Sequence, residues 1–299
     1  MSEHRLLQTS GIDFSYREFG TRDGQPVLLL HGFPDAADAW DDLVSLLRPE
    51  KRKLRLIVPS MRGYGLTKIT KENLISGEEA ALANDVLVLA NALGLGKFLI
   101  IGHDWGARAG FDTCVLAPER VIGHLALSSP YVMYDGRDLP PKQVQSYWYQ
   151  WYFQTAQGEK ALHENAHDSC EQLWRAWSPN WRYKQRDFEA TAAYWNNPQF
   201  ATVVLDSYRN RWGNSLGKPA YAEQQSRLEA KPKAKISTPT LFGYGTDDHC
   251  VLPAASEEQK KQFTGWYERA AIRGSGHFPH REDPKAVAKL FHQLLKKVS

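Results

Sequence analysis

The stretch FLIIGHDWGARAGFDTCVLAPERV, residues 98–121, decides how this chain is read. Phe98–Ile101 is an unbroken apolar run with the length of a buried strand, and the residues after Trp105 are small enough for a helix packed closely on a sheet. Between them stand Gly102, His103, Asp104, Trp105 and Gly106. Glycine on each side of a central residue is what a sharp strand-to-helix turn requires, because a Cβ there would collide with the adjoining strand or helix. The pattern predicts a turn that lifts Asp104 to the end of a strand, where such turns present a nucleophile. Here the nucleophile is a carboxylate instead of a hydroxyl.

Working outward, further apolar runs at Val27–Leu30, Leu54–Val58, Val121–Leu127, Thr240–Phe242 and Tyr267–Ile272 alternate with helical patterns. Trp40, Leu43, Val44 and Leu47 fall at helical spacing, as do Val86, Leu89, Ala90 and Leu93. Pro284 opens a final helix with Val287, Leu290, Phe291, Leu294 and Leu295 on one stripe. Such alternation predicts an α/β fold with a mostly parallel, doubly wound sheet. At the N-terminus, RLLQTSGIDFSYREFG reads as an antiparallel hairpin turned at Ser10 and Gly11.

Between 131 and 235 the alternation stops. This segment holds seven Trp, nine Tyr and three Phe, 19 aromatics against 16 in the rest of the chain. It reads as an inserted helical cap at 131–235, with 1–130 and 236–299 forming the core. Its stretches QVQSYWYQWYFQTAQGEKALHENAH and DFEATAAYWNNPQFATVVLDSYRNRW read as helices, with SPNW and NNPQ as breaks.

Thirty-seven basic and 34 acidic residues are interspersed, a formal charge of +3, and the basic clusters are as short as Lys51–Lys53 and the KPKAK run at 231–235. No nucleic-acid surface is indicated. The first twenty residues lack a continuous apolar core and no apolar run is long enough to span a bilayer, so a cytoplasmic protein without a membrane partner is expected. Cys114, Cys170 and Cys250 have neither zinc-site nor disulfide-framework spacing and read as buried or idle thiols.

Other candidate groups follow in chain order. Leu28–Leu30 runs into His31, Gly32, Phe33 and Pro34, a loop whose Phe33 N–H, paired with that of Trp105, would make an oxyanion hole. The loop Gly274, Ser275, Gly276, His277, Phe278 places a histidine after the last strand. An acid is expected after PTLFGYG, where Asp247 and Asp248 are adjacent; Asp248 is preferred, the other being a turn residue.

With these elements in view, the sequence resembles the α/β-hydrolase family, and within it the epoxide hydrolase branch. The order nucleophile, acid, histidine is matched by Asp104, Asp248 and His277, and HGFP, RGYG at 62–65 and GHDWG all look like that branch. Ser60 departs from it, since many relatives have Asp before the RGYG loop. The resemblance implies two cap tyrosines facing the nucleophile. Tyr149 stands in the run YQWYFQ and Tyr208 in YRN; Tyr147 and Tyr152 are the neighbours most easily mistaken for Tyr149. It further implies that His31, Phe33, Pro34, Trp105, Gln150, Phe153 and Phe278 surround the substrate.

An aspartate nucleophile points to alkyl chemistry. Ionised near neutral pH, it displaces directly at a saturated carbon and leaves an ester that water can open, whereas serine would leave an inert ether. His277, oriented by Asp248, would deprotonate that water. An epoxide oxygen needs a proton as it leaves, and phenols with pKa near 10 supply one. The expected function is therefore hydrolysis of an apolar epoxide to a vicinal diol, with no metal or organic cofactor, by a monomer or homodimer. A halide instead wants weak N–H donors. A haloalkane or haloacid dehalogenase is the alternative, with Trp151 as the indole and Arg108 as a carboxylate clamp, although Gln150 occupies the place where an imidazole would be sought. A non-catalytic binding protein is the second alternative.

Overall fold

The computed structural model describes residues 3–230 and 233–298, so Lys231 and Pro232 of the KPKAK run lie outside the described residues. Nine strands form one sheet: β1 Arg5–Leu7, β2 Ile12–Gly20, β3 Gln25–Leu30, β4 Leu54–Pro59, β5 Lys68–Ile69, β6 Phe98–His103, β7 Val121–Leu127, β8 Thr240–Gly245 and β9 Tyr267–Ile272. The order is β1-β2-β4-β3-β6-β7-β8-β9, with β5 on β2. β1 and β2 form the expected hairpin, and β2 meets β4 antiparallel; from β4 to β9 every neighbouring pair is parallel.

The period-two geometry of strands sends neighbouring residues to opposite faces, so a central strand must be apolar throughout. Leu28, Leu30, Ile57 and Ile100 enter one core, covered by α2 (Glu79–Ala92) and α3 (Trp105–Leu116) through Leu82, Val86, Leu89 and Phe111. Val27, Leu29, Leu56, Leu99, Ile101 and Leu125 enter the other, covered by α1 (Asp41–Leu47) and α12 (Pro284–Val298) through Leu43, Leu47, Val287, Phe291 and Leu294. The expected doubly wound sheet is present.

β3, β6, β7 and β8 are consecutive neighbours running the same way, so their carboxyl ends open on one edge. That edge is where open α/β sheets build their sites. It receives the loop after Leu30, Asp104 after β6, Ser128 and Ser129 after β7, and Asp248 after β8. Between β7 and β8 the chain forms α4 Pro141–Ser146, α5 Trp148–Tyr152, α6 Ala156–Glu164, α7 Ala166–Trp177, α8 Gln185–Ala192, α9 Phe200–Arg211 and α10 Ala222–Glu229. The helical stretch from Gln143 to His167 is broken three times. The Thr155 side chain caps Gly158 N–H and Asn165 caps Asp168 N–H, each opening a new helix, and the chain also turns at Tyr147. The NNPQ break, between α8 and α9, is where it was expected. Between β9 and α12 the short α11 covers Pro279–Glu282. No helix of the described residues is long and apolar enough to cross a membrane.

Candidate active site

The turn between β6 and α3 is as tight as its glycines imply. A Cβ on Gly102 would lie 2.3 Å from the Gly106 carbonyl oxygen, and one on Gly106 would lie 2.0 Å from that of Leu30. Asp104 itself adopts φ 51° and ψ −113°, a conformation that costs a non-glycine residue about 1–3 kcal/mol. Its carboxylate stands at the N-terminus of α3, where the helix dipole favours negative charge.

Asp104 Oδ1 accepts the Phe33 N–H at 3.0 Å, so the loop after β3 reaches the carboxylate as expected. Gly32 packs against Oδ1 and against the Trp105 amide; a Cβ there would lie 2.5 Å from one and 2.7 Å from the other. Oδ2 accepts from Ser129 Oγ at 3.3 Å and lies 3.7 Å from His277 Nε2. Ser129 was not foreseen, since nothing marks it locally; parallel pairing of β7 with β6 brings it there.

His277 Nδ1 meets Asp248 Oδ2 at 2.9 Å, and Asp248 Oδ1 accepts from the Cys250 and Val251 N–H groups at 2.8 and 2.9 Å. Asp247, the other candidate, instead bonds Asn180 near the surface. Although burial opposes the charged imidazole, Asp248 and Asp104 push the His277 pKa up to about 10. The backbone of His277 is held on both sides. Its N–H donates to Ser178 Oγ at 2.8 Å, and its carbonyl accepts from Ser128 Oγ at 2.9 Å and from His103 Nε2 at 2.7 Å. Ser178 in turn donates to Glu282, which also takes the N–H groups of Gly276 and Phe278.

Tyr149 and Tyr208 come together from α5 and α9, their rings perpendicular and 5.3 Å apart. Burial, and behind it neighbours that include the Asp104 charge, pushes both phenols well above their ordinary pKa. They stay protonated near neutral pH. The two possible substitutes point elsewhere: Tyr147 Oη donates to Met133 Sδ and Tyr152 Oη to the Gln157 carbonyl. The Phe33 ring is the hub of the site, touching Trp105, Tyr149, Phe153, Trp177, Phe200 and Tyr208. Trp177 and Phe200 were not foreseen.

Four of the expected substrate contacts are already engaged with protein neighbours. His31 accepts the Met61 N–H at Nε2 (3.0 Å) and donates from Nδ1 to the Gly32 carbonyl (3.1 Å), which leaves no polar atom for a guest. It pins the loop. The Pro34 carbonyl is covered by the Trp174 indole at 3.4 Å. The Phe278 ring is wedged behind His277 among Trp174, Trp177 and Trp181. Both ends of the Gln150 amide are occupied, by Tyr149 and Trp212. Arg108, weighed as a carboxylate clamp, is ion-paired with Glu79, and the Trp151 indole donates to the Val144 carbonyl.

Asp35, His103 and His280 also cluster within metal-ligand range. Arg281 bonds both oxygens of Asp35, and His280 Nε2 lies 2.8 Å from one of them, so this carboxylate is already neutralised. The cluster ties the loop after β3 to the helix after His277.

Comparison with known proteins agrees with this architecture. The chain is 26% identical over 296 residues to the AB hydrolase superfamily protein YfhM of Bacillus subtilis, covering 98% of this chain and 97% of that one. It is 25% identical to human epoxide hydrolase 4, covering 97% of this chain and 77% of that one. The crystal structure of a candidate epoxide hydrolase from Klebsiella pneumoniae superposes with a TM-score of 0.92 at 31% identity, covering 98% and 97% of the two chains. Residues 25–284 match the family model described as the alpha/beta hydrolase fold, and the chain belongs to that family.

Proposed function

We propose that the protein hydrolyses an apolar epoxide to a vicinal diol through an ester on Asp104, with residues 131–235 acting as a cap over a core of 1–130 and 236–299. One observation carries the reading: a carboxylate backed by the His277–Asp248 pair shares its site with two buried, protonated phenols. The relatives named as epoxide hydrolases support it, and the aromatic rings around Phe33 favour an apolar guest.

In the first step Asp104 Oδ2 attacks a ring carbon. The carbon–oxygen bond breaks, its electron pair stays on oxygen, and a phenol proton from Tyr149 or Tyr208 neutralises it. Esterification removes the Asp104 charge that helps hold the proton on His277, so the imidazolium pKa falls. Its proton returns to the phenolate through solvent. Neutral His277 then accepts a proton from water as the water oxygen adds to the ester carbonyl, and charge collecting on Oδ1 rests on the Phe33 N–H. Collapse expels the diol oxygen, which takes the proton from His277. The proton left on the Asp104 carboxyl passes to His277 and restores the starting pair.

Styrene oxide and fluoroacetate or chloroacetate offered in parallel test the reading, with diol and halide as readouts. Diol from the epoxide is expected. Halide without diol would establish the dehalogenase, and turnover of neither would favour a binding protein. A second reading has one observation behind it: the buried indole N–H groups of Trp105 and Trp177 lack hydrogen-bond partners among the described residues. They are the kind of weak donor that a departing halide accepts.

A further inference from the structure

Gln150 is fully buried, and the direction of its hydrogen bonds is set by a neighbour. The Trp212 indole can only donate, and its Nε1 lies 3.0 Å from Gln150 Oε1. This fixes which way the amide points: oxygen toward Trp212, nitrogen toward Tyr149. Gln150 Nε2 then lies 2.8 Å from Tyr149 Oη, and an amide nitrogen can only donate. The phenol oxygen is thus used as an acceptor, and its proton must point away from Gln150. Cys250 Sγ lies 3.7 Å from the same oxygen, a weak hydrogen-bond partner that a substrate oxygen would easily displace.

Were the amide free to turn over, Gln150 would present its oxygen to Tyr149. The phenol proton would then be spent on Gln150. Trp212 prevents this turn, and it sits at the end of α9, the same helix that carries Tyr208. Gln154 adds a brace between the two helices, its Nε2 donating to the carbonyls of Gln150 at 2.8 Å and Tyr208 at 3.2 Å.

We propose that Gln150, locked by Trp212, is a positioning residue that keeps the Tyr149 hydroxyl a proton donor toward the reacting oxygen of the substrate. The inference rests on the role given to Tyr149 above. It also explains why a polar side chain stands fully buried in an aromatic cap. Gln150 touches no reacting atom; it acts through the phenol.

The test is a set of Gln150 and Trp212 variants made in two backgrounds, with Tyr149 intact and with Tyr149→Phe. Single-turnover measurements with styrene oxide separate ester formation from ester hydrolysis. With Tyr149 intact, Gln150→Glu should slow ester formation most, about 10-fold, as much as losing the Tyr149 hydroxyl itself, because a carboxylate accepts the phenol proton. Gln150→Met and Trp212→Phe should each cost a few-fold by the same reasoning. In the Tyr149→Phe background each should cost less than about twofold, since no phenol remains to be aimed. Ester hydrolysis should stay within about twofold throughout. Equal losses in the two backgrounds, or a loss that falls on ester hydrolysis, would overturn the inference in favour of a packing role. Trp212 is only partly buried, so Trp212→Phe decides the matter if the Gln150 variants do not fold, and an unchanged rate of ester formation there would sink the proposal. If the wild-type protein makes no diol, the epoxide reading itself has failed; if it makes diol and the variants match it, only the role of Gln150 has.

Discussion

His277 reaches Asp248 with one ring nitrogen at 2.9 Å and faces Asp104 across 3.7 Å with the other. Both carboxylates favour its protonated form, but the chemistry proposed here keeps only one of them charged throughout. The imidazole is therefore an acid in the resting protein and a base once Asp104 carries an alkyl group.

Replacing His277 should separate the two steps. With His277→Gln, ester formation continues while ester hydrolysis falls by about 10²–10⁴-fold, the usual contribution of a general base. Intact mass after incubation with styrene oxide should show the protein plus one substrate, and a peptide map should place the adduct on Asp104. A variant that turns over normally would remove His277 from its role.

The source of the second diol oxygen checks the ester directly. One turnover in heavy-oxygen water, with protein in excess, should put label into the Asp104 carboxylate, because water adds to its carbonyl carbon. Label found in the diol and never in Asp104 would mean that water attacks the epoxide itself.

The pH dependence of the two states should differ. In the resting protein, against the cost of burial, Asp248 and Asp104 push the His277 pKa up to about 10, and the loss of the Asp104 charge moves the ester state lower. The rate of ester hydrolysis should rise with pH and level off at a midpoint below 10, while direct titration of the free protein gives the higher value. The raised value also stabilises the fold: this contribution is complete below the unfolded value of about 6.5 and disappears as pH rises through about 10. Identical midpoints in the two states would contradict the coupling to Asp104.

The phenols should be partly redundant. Tyr149→Phe or Tyr208→Phe should each slow ester formation about 10-fold, and the double variant about 10²–10⁴-fold, approaching loss of the acid. Ester hydrolysis should hardly change. An unaltered rate in the double variant would place the acid elsewhere.

Stability depends on a pair outside the chemistry. Arg281, with His280, holds the Asp35 carboxyl far below the usual carboxylate range in spite of its burial. Asp35→Ala would leave a mostly buried Arg281 with Asp38 as its remaining carboxylate partner and should cost about 3 kcal/mol in denaturant unfolding. Because the folded value is depressed, the contribution of Asp35 is complete above the unfolded value of about 4 and declines only in stronger acid. The gap between variant and wild type should hence be constant near neutral pH and narrow below about pH 4.

What the sequence determined by itself was local. Alternating apolar runs specify strands and helices because side-chain periodicity decides which faces are buried, and the glycines around Asp104 specify the turn because no Cβ fits there. The order of Asp104, Asp248 and His277 was likewise readable, as was the aromatic character of 131–235. The tertiary structure decided which neighbour of a local choice faces the site. Asp248 rather than Asp247 meets His277, and Tyr149 rather than Tyr147 or Tyr152 meets Tyr208. It also gave the polar atoms of His31 and Gln150 their partners within the protein. Ser129, Trp177, Phe200 and Trp212 reach the site from distant parts of the chain with no local pattern to mark them. Their roles come from hydrogen bonds and ring contacts across long sequence separations, which exist only once the strands have paired and the helices between β7 and β8 have closed over them.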